Sequence, residues 1–225
     1  MLPILTLHLL DVKIPANTRL MTAFFNGMRD TAEANKALFD QEDIPADIFH
    51  NDKVAYSGIQ FTLYRGGASL TAVGHKEVRA LELWYGLYKI ETGDAGQNTL
   101  RIYEQYFPAI TARSIQYHTA NMLLKREIAD EIEVLKSRFA VHARLEKYMY
   151  GNIKAFLVRV AGMELTGQDF ISVKVQYCKD LGPKSTYHGG KLTAYEIKFT
   201  ANVYLPQTLR LGQAVSLGYG NICHI

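Results

Sequence analysis

Three glycines fall within nine residues near the end of the chain, at Gly212, Gly218 and Gly220, in the stretch from Leu211 to Ile222. Glycine reaches backbone conformations closed to other residues and lets another backbone approach with no side chain between. Successive free N–H groups in such a loop form a nest for a phosphate. The spacing fits equally well a tight turn before a terminal strand. Tyr64, Tyr88, Tyr187 and Tyr219 are candidates to stack unpaired bases, though at 11% aromatic residues most rings must serve the core. Cys178, His188, Cys223 and His224 have no CxxC or HxxxH spacing, so no metal site is expected. His8 lies in a strand-like run and reads as a satisfied core histidine. His118 and His142 lie in helical or helix-adjacent sequence and read as structural.

Bulk properties narrow the class. At 48% hydrophobic and 21% charged residues the chain reads as an ordinary soluble globular protein. No apolar run approaches the roughly 18 residues a membrane span needs. The start, Met1-Leu2-Pro3-Ile4-Leu5, has no basic lead or cleavage site, so no signal peptide is expected. Two cysteines without a pairing pattern suit a reduced, cytoplasmic protein. The net charge of +3 is uneven: residues 1–50 carry −3, residues 51–150 carry +2, and residues 151–225 carry +4. The basic excess thus lies with the glycines, which suits a phosphate-bearing partner, although a solvated face accounts for it too.

The elements that must position these residues follow from periodicity. Residues 2–12 read as a buried strand. Pro15-Ala16-Asn17-Thr18 starts a helix, and Leu20, Phe24 and Met28 continue its apolar stripe towards Leu38. An acidic, proline-interrupted loop spans Asp40 to Lys53. The runs Val54 to Tyr64 and Ala68 to Val73 flank Arg65-Gly66-Gly67, a hairpin signal. Lys76 to Tyr85 has helical spacing, and Leu87 to Ile90 reads as a returning strand. That order, β-α-β-β-α-β, is the ferredoxin-like arrangement. Glu91 to Asn98 has a linker's composition. Strand-like residues return at Leu100 to Tyr106 and Ile110 to Gln116. Helical stripes follow through Leu124, Ile128, Ile132, Leu135 and Phe139, and through Leu145, Met149, Ile153, Phe156 and Val160. Phe170 to Cys178, Leu192 to Tyr204 and Val215 to Ile222 close the chain as strands. The expected fold is α+β, two ferredoxin-like (RRM-like) halves in tandem. Their expected bounds are 1–92 and 98–225, with Gly212 to Gly220 lying against the cleft between them.

Read with its approach, Asn202-Val203-Tyr204-Leu205-Pro206, the last stretch resembles a known signature. It is the C-terminal glycine-rich pattern "tN–apolar–P … GlGk–vSrGfG" of the CRISPR-associated endoribonucleases that cut repeat RNA into guide units. One branch of that family carries "HNH" ahead of "YPlIQYK", a glycine hairpin and "iiGi–EG". The corresponding residues here are His50-Asn51-Asp52, Tyr56-Ser57-Gly58-Ile59-Gln60-Phe61-Thr62, Gly66-Gly67 and Val73-Gly74. Leu145 to Phe156, containing Tyr150-Gly151-Asn152-Ile153, is similar to the family's helix "L–iligNil–f". The resemblance runs in patches from about residue 48 to 222. It departs at Asp52, where the branch often has histidine, at Thr62 and Gln213 in place of lysines, and at Leu217 in place of arginine.

The resemblance implies a reaction without metal or cofactor. The RNA's own 2′-hydroxyl attacks the adjacent phosphate, leaving a 2′,3′-cyclic phosphate and a 5′-hydroxyl. The protein supplies proton transfer and positive charge at the phosphorane. The resemblance places the family's histidine at His50, a residue type suited to proton transfer near neutrality. Lys53 would stabilise the phosphate and Tyr56 would orient it. Gly212, Gln213, Ser216, Gly218, Tyr219, Gly220 and Lys191 would hold the RNA. The implied partner is a CRISPR repeat transcript, the implied assembly a homodimer or an effector complex, and the implied role antiviral defence. The missing cationic residues keep a second class open, a non-catalytic RNA-binding or scaffold protein of the same fold.

Overall fold

The computed structural model describes residues 1–13, 18–49, 58–64, 67–93, 98–187, 190–215 and 218–225. Two compact units divide between Phe107 and Pro108, and Gly218 groups with the first. In the first unit, β1 (Leu2–Lys13) lies inside a four-stranded antiparallel sheet ordered β2-β3-β1-β4, with β2 (Ile59–Tyr64), β3 (Gly67–Val73) and β4 (Thr99–Tyr106). Leu5, Leu7 and Leu9 alternate along β1 with Thr6 and His8, so each set takes its own face of the pleat. Helix α1 (Thr18–Ala34) buries Phe25, Met28 and Ala32 at helical spacing, and Phe24 packs against Phe61 and Trp84. The short α2 (Lys36–Gln41) and a single 3-10 turn, Ala46–Phe49, follow; Phe39 meets Phe49 edge-on.

Helix α3 (His75–Thr92) corrects the expected strand at Leu87 to Ile90. The aromatics Trp84, Tyr85 and Tyr88 stack along its side at helical spacing, Trp84 and Tyr88 with centroids 5.1 Å apart, which carries the helix on through these residues. The returning strand is therefore β4, paired with β1 from Leu2 opposite Tyr106 to Leu9 opposite Thr99. That pairing carries the first unit to Phe107 rather than to residue 92.

The second unit repeats the pattern. β5 (Ala109–Leu123), β6 (Val173–Tyr187), β7 (Gly190–Tyr204) and β8 (Ile222–His224) form a sheet ordered β6-β7-β5-β8. Both sheets therefore share one topology, and the fold is α+β with two ferredoxin-like halves in tandem. Helices α4 (Arg126–Val134) and α5 (Arg138–Ala155) fill the first crossover, and α5 widens into a π turn at Phe156–Val160. The break after α4 shifts the helical phase, so Phe139, expected on the apolar stripe, is 85% exposed. No described helix or strand fills residues 205–221, where the second crossover helix of the first unit has its counterpart. Among the described residues of the expected strand from Val215 to Ile222, only Ile222 lies in a strand, at the start of β8 (Ile222–His224). No described helix is long and apolar enough to cross a membrane.

Tyr117 shows what holds the second unit. Its ring stacks on Phe199, and its buried hydroxyl donates to the Val203 carbonyl at 2.7 Å while accepting from the Leu205 N–H at 3.0 Å. Burial pushes its pKa from 10 up to about 12, and burial does the same for Tyr195, helped by Asp180, Cys178 and Glu133. Both folded-state values lie above the unfolded value. The neutral hydroxyls therefore contribute full stability below pH 10, and this is lost as pH rises through about 12. The urea midpoint should fall across that window. Tyr117→Phe should flatten the fall while costing about 1–3 kcal/mol at neutral pH, since two buried partners lose their bond.

Candidate functional site

The glycine-rich segment is clamped by backbone and amide hydrogen bonds. After β7, Leu209, Arg210 and Leu211 turn inward and are buried. Leu211 N–H donates to the Gly220 carbonyl at 2.9 Å and Ile222 N–H to the Leu209 carbonyl at 3.1 Å, with Arg210 bridged to Asn221. The two ends of the segment thus form a short ladder. Its start is held by Tyr117 through Leu205 N–H, and by His224, whose Nε2–H donates to the Leu205 carbonyl at 2.9 Å.

Two asparagines fix the middle. The side-chain oxygen of Asn152 accepts from Gly212 N–H at 3.2 Å, and its NH₂ donates to the Tyr148 carbonyl at 2.9 Å. The side-chain oxygen of Asn121 accepts from Gly220 N–H at 3.2 Å. Gln213 N–H donates to the Leu123 carbonyl at 2.8 Å. The N–H groups of Gly212, Gln213 and Gly220 are consequently spent inside the chain and are not free to line a phosphate nest. Each glycine answers a close approach of protein backbone. A Cβ on Gly212 would lie 2.5 Å from the Leu123 carbonyl oxygen, and one on Gly220 would run into that of Leu211, both at positive φ. Within the first unit, a Cβ on Gly218 would lie 2.9 Å from the Phe61 carbonyl oxygen, again at positive φ. Gly218 is thus as much a packing residue as a contact candidate.

Other expected residues are placed as follows. Tyr219 packs with Leu181 and Ala214 on the buried cluster Leu123, Leu192 and Ala194, so part of its ring serves the core. Gln213 is half-buried beside the end of β5, and Lys191 stands on β7 opposite Thr186. Tyr64 stacks on His8 at 4.0 Å and Tyr88 on Trp84 at 5.1 Å. His8 is buried, and its Nδ1 has no hydrogen-bond partner, so stacking rather than hydrogen bonding holds it. Burial pushes its pKa down, keeping the ring neutral at pH 7. His50, Lys53, Tyr56 and Ser216 lie outside the described residues, as does Arg65-Gly66 of the expected hairpin turn.

Asn152 lies in the helix that carries the resemblance, but the sequence assigned no role to it, nor to Asn121, Tyr148 or Arg210. The Tyr148 hydroxyl is buried, which pushes its pKa up; Gln213, Asn152 and the Lys125 backbone lie near it, yet none meets hydrogen-bond geometry. Arg210 is only 4% exposed, which places a fixed positive charge within the segment. A signal existed for Asn152. Asparagine next to glycine in the middle of an apolar helical stripe is a poor helix former, and it persists where its amide has a partner to hold. Among the described residues no three His, Cys, Asp or Glu side chains are grouped to hold a metal ion.

Comparison with known proteins bears on the same region. No curated protein sequence matches the chain. Among solved structures, a crystal structure of Cas6b aligns over 100% of this chain and 99% of its own at TM-score 0.68 and 18% identity. A Cas6b CRISPR RNA processing endoribonuclease aligns over the same shares at 0.68 and 16%. Csf5, a type IV Cas6 crRNA endonuclease, aligns over the same shares at 0.61 and 17%. At these identities the likeness is one of fold. The sequence model of the Cas6b C-terminal domain matches residues 109–225, the whole second unit from β5 through the clamped glycines to the last residue, and the chain belongs to the Cas6b family.

Proposed function

We propose that the chain binds CRISPR repeat RNA and cleaves it without a metal, by attack of the RNA's 2′-hydroxyl on the adjacent phosphate. The products are a 2′,3′-cyclic phosphate and a 5′-hydroxyl. The observation that carries this reading is the family match across residues 109–225, over a segment whose glycines are held in place by Asn121 and Asn152. His50 moves the protons, from the attacking hydroxyl or to the leaving oxygen. Lys53 places positive charge at the phosphorane, and Tyr56 orients it. Gly212, Gly218 and Gly220 shape the RNA-facing backbone, with Gln213, Ser216, Tyr219 and Lys191 as its side-chain contacts. Arg210 adds a buried positive charge to the same segment. The RNA is a repeat transcript, and the assembly is a homodimer or an effector complex in the cytoplasm, within antiviral defence.

A second reading, RNA binding without cutting, is favoured by Thr62, Gln213 and Leu217, which stand where the resembling family has cations. One incubation separates the two. Repeat RNA from the same genome, mixed with the wild-type chain in EDTA and run on a sequencing gel, should give one cut per repeat with a 5′-hydroxyl on the downstream product. Tight binding of the repeat with no cut, in EDTA or in magnesium, establishes the second reading instead.

A further inference from the structure

The solvent-facing side of the second sheet carries a group that the RNA chemistry does not use. Strand pairing sets Tyr177 opposite Lys198, Lys198 opposite His118, and His118 opposite Cys223, one row across all four strands. The neighbouring residues Tyr117, Phe199, Ile197 and Ile222 point the other way and are fully buried. His118 Nε2 lies 3.1 Å from Glu196 Oε1, and its Nδ1 lies 3.9 Å from Cys223 Sγ. The Cys223 thiol is exposed and also reaches the His118 carbonyl oxygen at 3.6 Å.

This geometry decides the imidazole's tautomer. A carboxylate only accepts hydrogen bonds, so Nε2 must carry the ring proton towards Glu196. In the neutral ring Nδ1 is then left with its lone pair facing the sulfur. Nucleophile, base and orienting acid stand in the order used by enzymes that activate a thiol or hydroxyl. The sulfur is exposed on the edge strand β8, so the arrangement suits an encounter with a small solute.

We propose that Cys223 is a modification site, a nucleophilic thiol that takes up a low-molecular-weight disulfide. As the sulfur attacks one sulfur of the reagent, its proton passes to His118 Nδ1. A new S–S bond forms to Cys223 and the reagent's S–S bond breaks. The departing thiolate collects the proton from Nδ1, and the ring returns to its starting state. Glu196 is a positioning residue that holds the ring in the reactive tautomer. Cys178 provides the contrast within one chain, since it is half-buried on β6 and burial pushes its thiol pKa up.

The test treats the full-length protein with oxidised glutathione at neutral pH and follows the mixed disulfide at each cysteine by peptide mass mapping. Cys223 should react at least about 10-fold faster than Cys178 and than Cys223 of the same chain unfolded in urea. His118→Asn should remove most of that advantage, as loss of a general base typically costs about 10²–10⁴-fold. Glu196→Ala should lower the rate less. In imidazole nitrogen NMR it should turn a single Nε2–H tautomer of His118 into a mixture, a change that mere loosening of the fold would not produce. Circular dichroism would confirm that both variants remain folded, and Glu196→Ala decides the matter if His118→Asn does not fold. The proposal is overturned if Cys223 reacts no faster than in the unfolded chain, or if both variants react as the wild type does. It does not depend on whether the chain cuts RNA.

Discussion

His50→Ala is expected to leave repeat-RNA binding within a few-fold of wild type and to slow cleavage by about 10²–10⁴-fold, the usual loss on removing a general acid or base. The expectation rests on the resemblance that places the family's histidine at His50, together with the family membership of the chain. Proton transfer contributes to the transition state and little to ground-state binding, so the loss belongs in the single-turnover rate rather than in the affinity. Lys53→Ala should cost less, because water and neighbouring groups partly replace a single cation. Equal cutting by His50→Ala and wild type would remove His50 from the site while leaving the family assignment intact. A comparable loss of binding and cutting would instead make His50 a structural residue.

Gly220→Ala is expected to be the most damaging glycine-to-alanine change among the described glycines. Its Cβ would enter the space of the Leu211 carbonyl oxygen, in the same residue whose N–H donates to the Gly220 carbonyl and so closes the short ladder between residues 209–211 and 220–222. Gly220 also has φ +75°, a region that costs other residues strain. Strain of about 1–3 kcal/mol and overpacking of about 1–3 kcal/mol together predict a loss of roughly 2–6 kcal/mol. For a chain of this size that lowers the thermal midpoint by about 5–20 °C. Gly27→Ala is the matched control. Gly27 lies in α1 with no atom within 4 Å of an added Cβ, so alanine there should raise stability by about 0.5–1 kcal/mol. A Gly220→Ala midpoint equal to the wild type's would show that the ladder yields without cost. RNA affinity measured below the new midpoint then separates shape from stability.

Local pattern carried the architecture further than it carried the site. The alternation of Leu5, Leu7 and Leu9, the stripe of Leu145, Met149, Ile153 and Phe156, and the paired β-runs that became β6 and β7 were all legible, because period two and period 3.6 are written in neighbouring residues. Where periods overlap, the reading failed. Leu87 to Ile90 suits a strand by composition and a helix by phase, and stacking of Tyr88 on Trp84 decided for the helix. The true last strand of the first unit, β4, was recognisable as a strand from its own residues, but only its pairing with β1 showed to which half it belongs.

The glycine-rich segment divides the same way. Sequence alone determined that residues 211–222 must take backbone shapes closed to other residues, since three glycines so close together leave few alternatives, and it carried the family resemblance. Tertiary structure decided what those shapes meet. The partners of Gly212 and Gly220, Asn152 and Asn121, lie 60 and 99 residues away along the chain, and no local period encodes a contact at that distance. Strand register likewise brought His118, Glu196 and Cys223 together from three strands. Each is unremarkable where it stands in the chain, and the chemistry arises only from the hydrogen-bonded ladders that set them side by side.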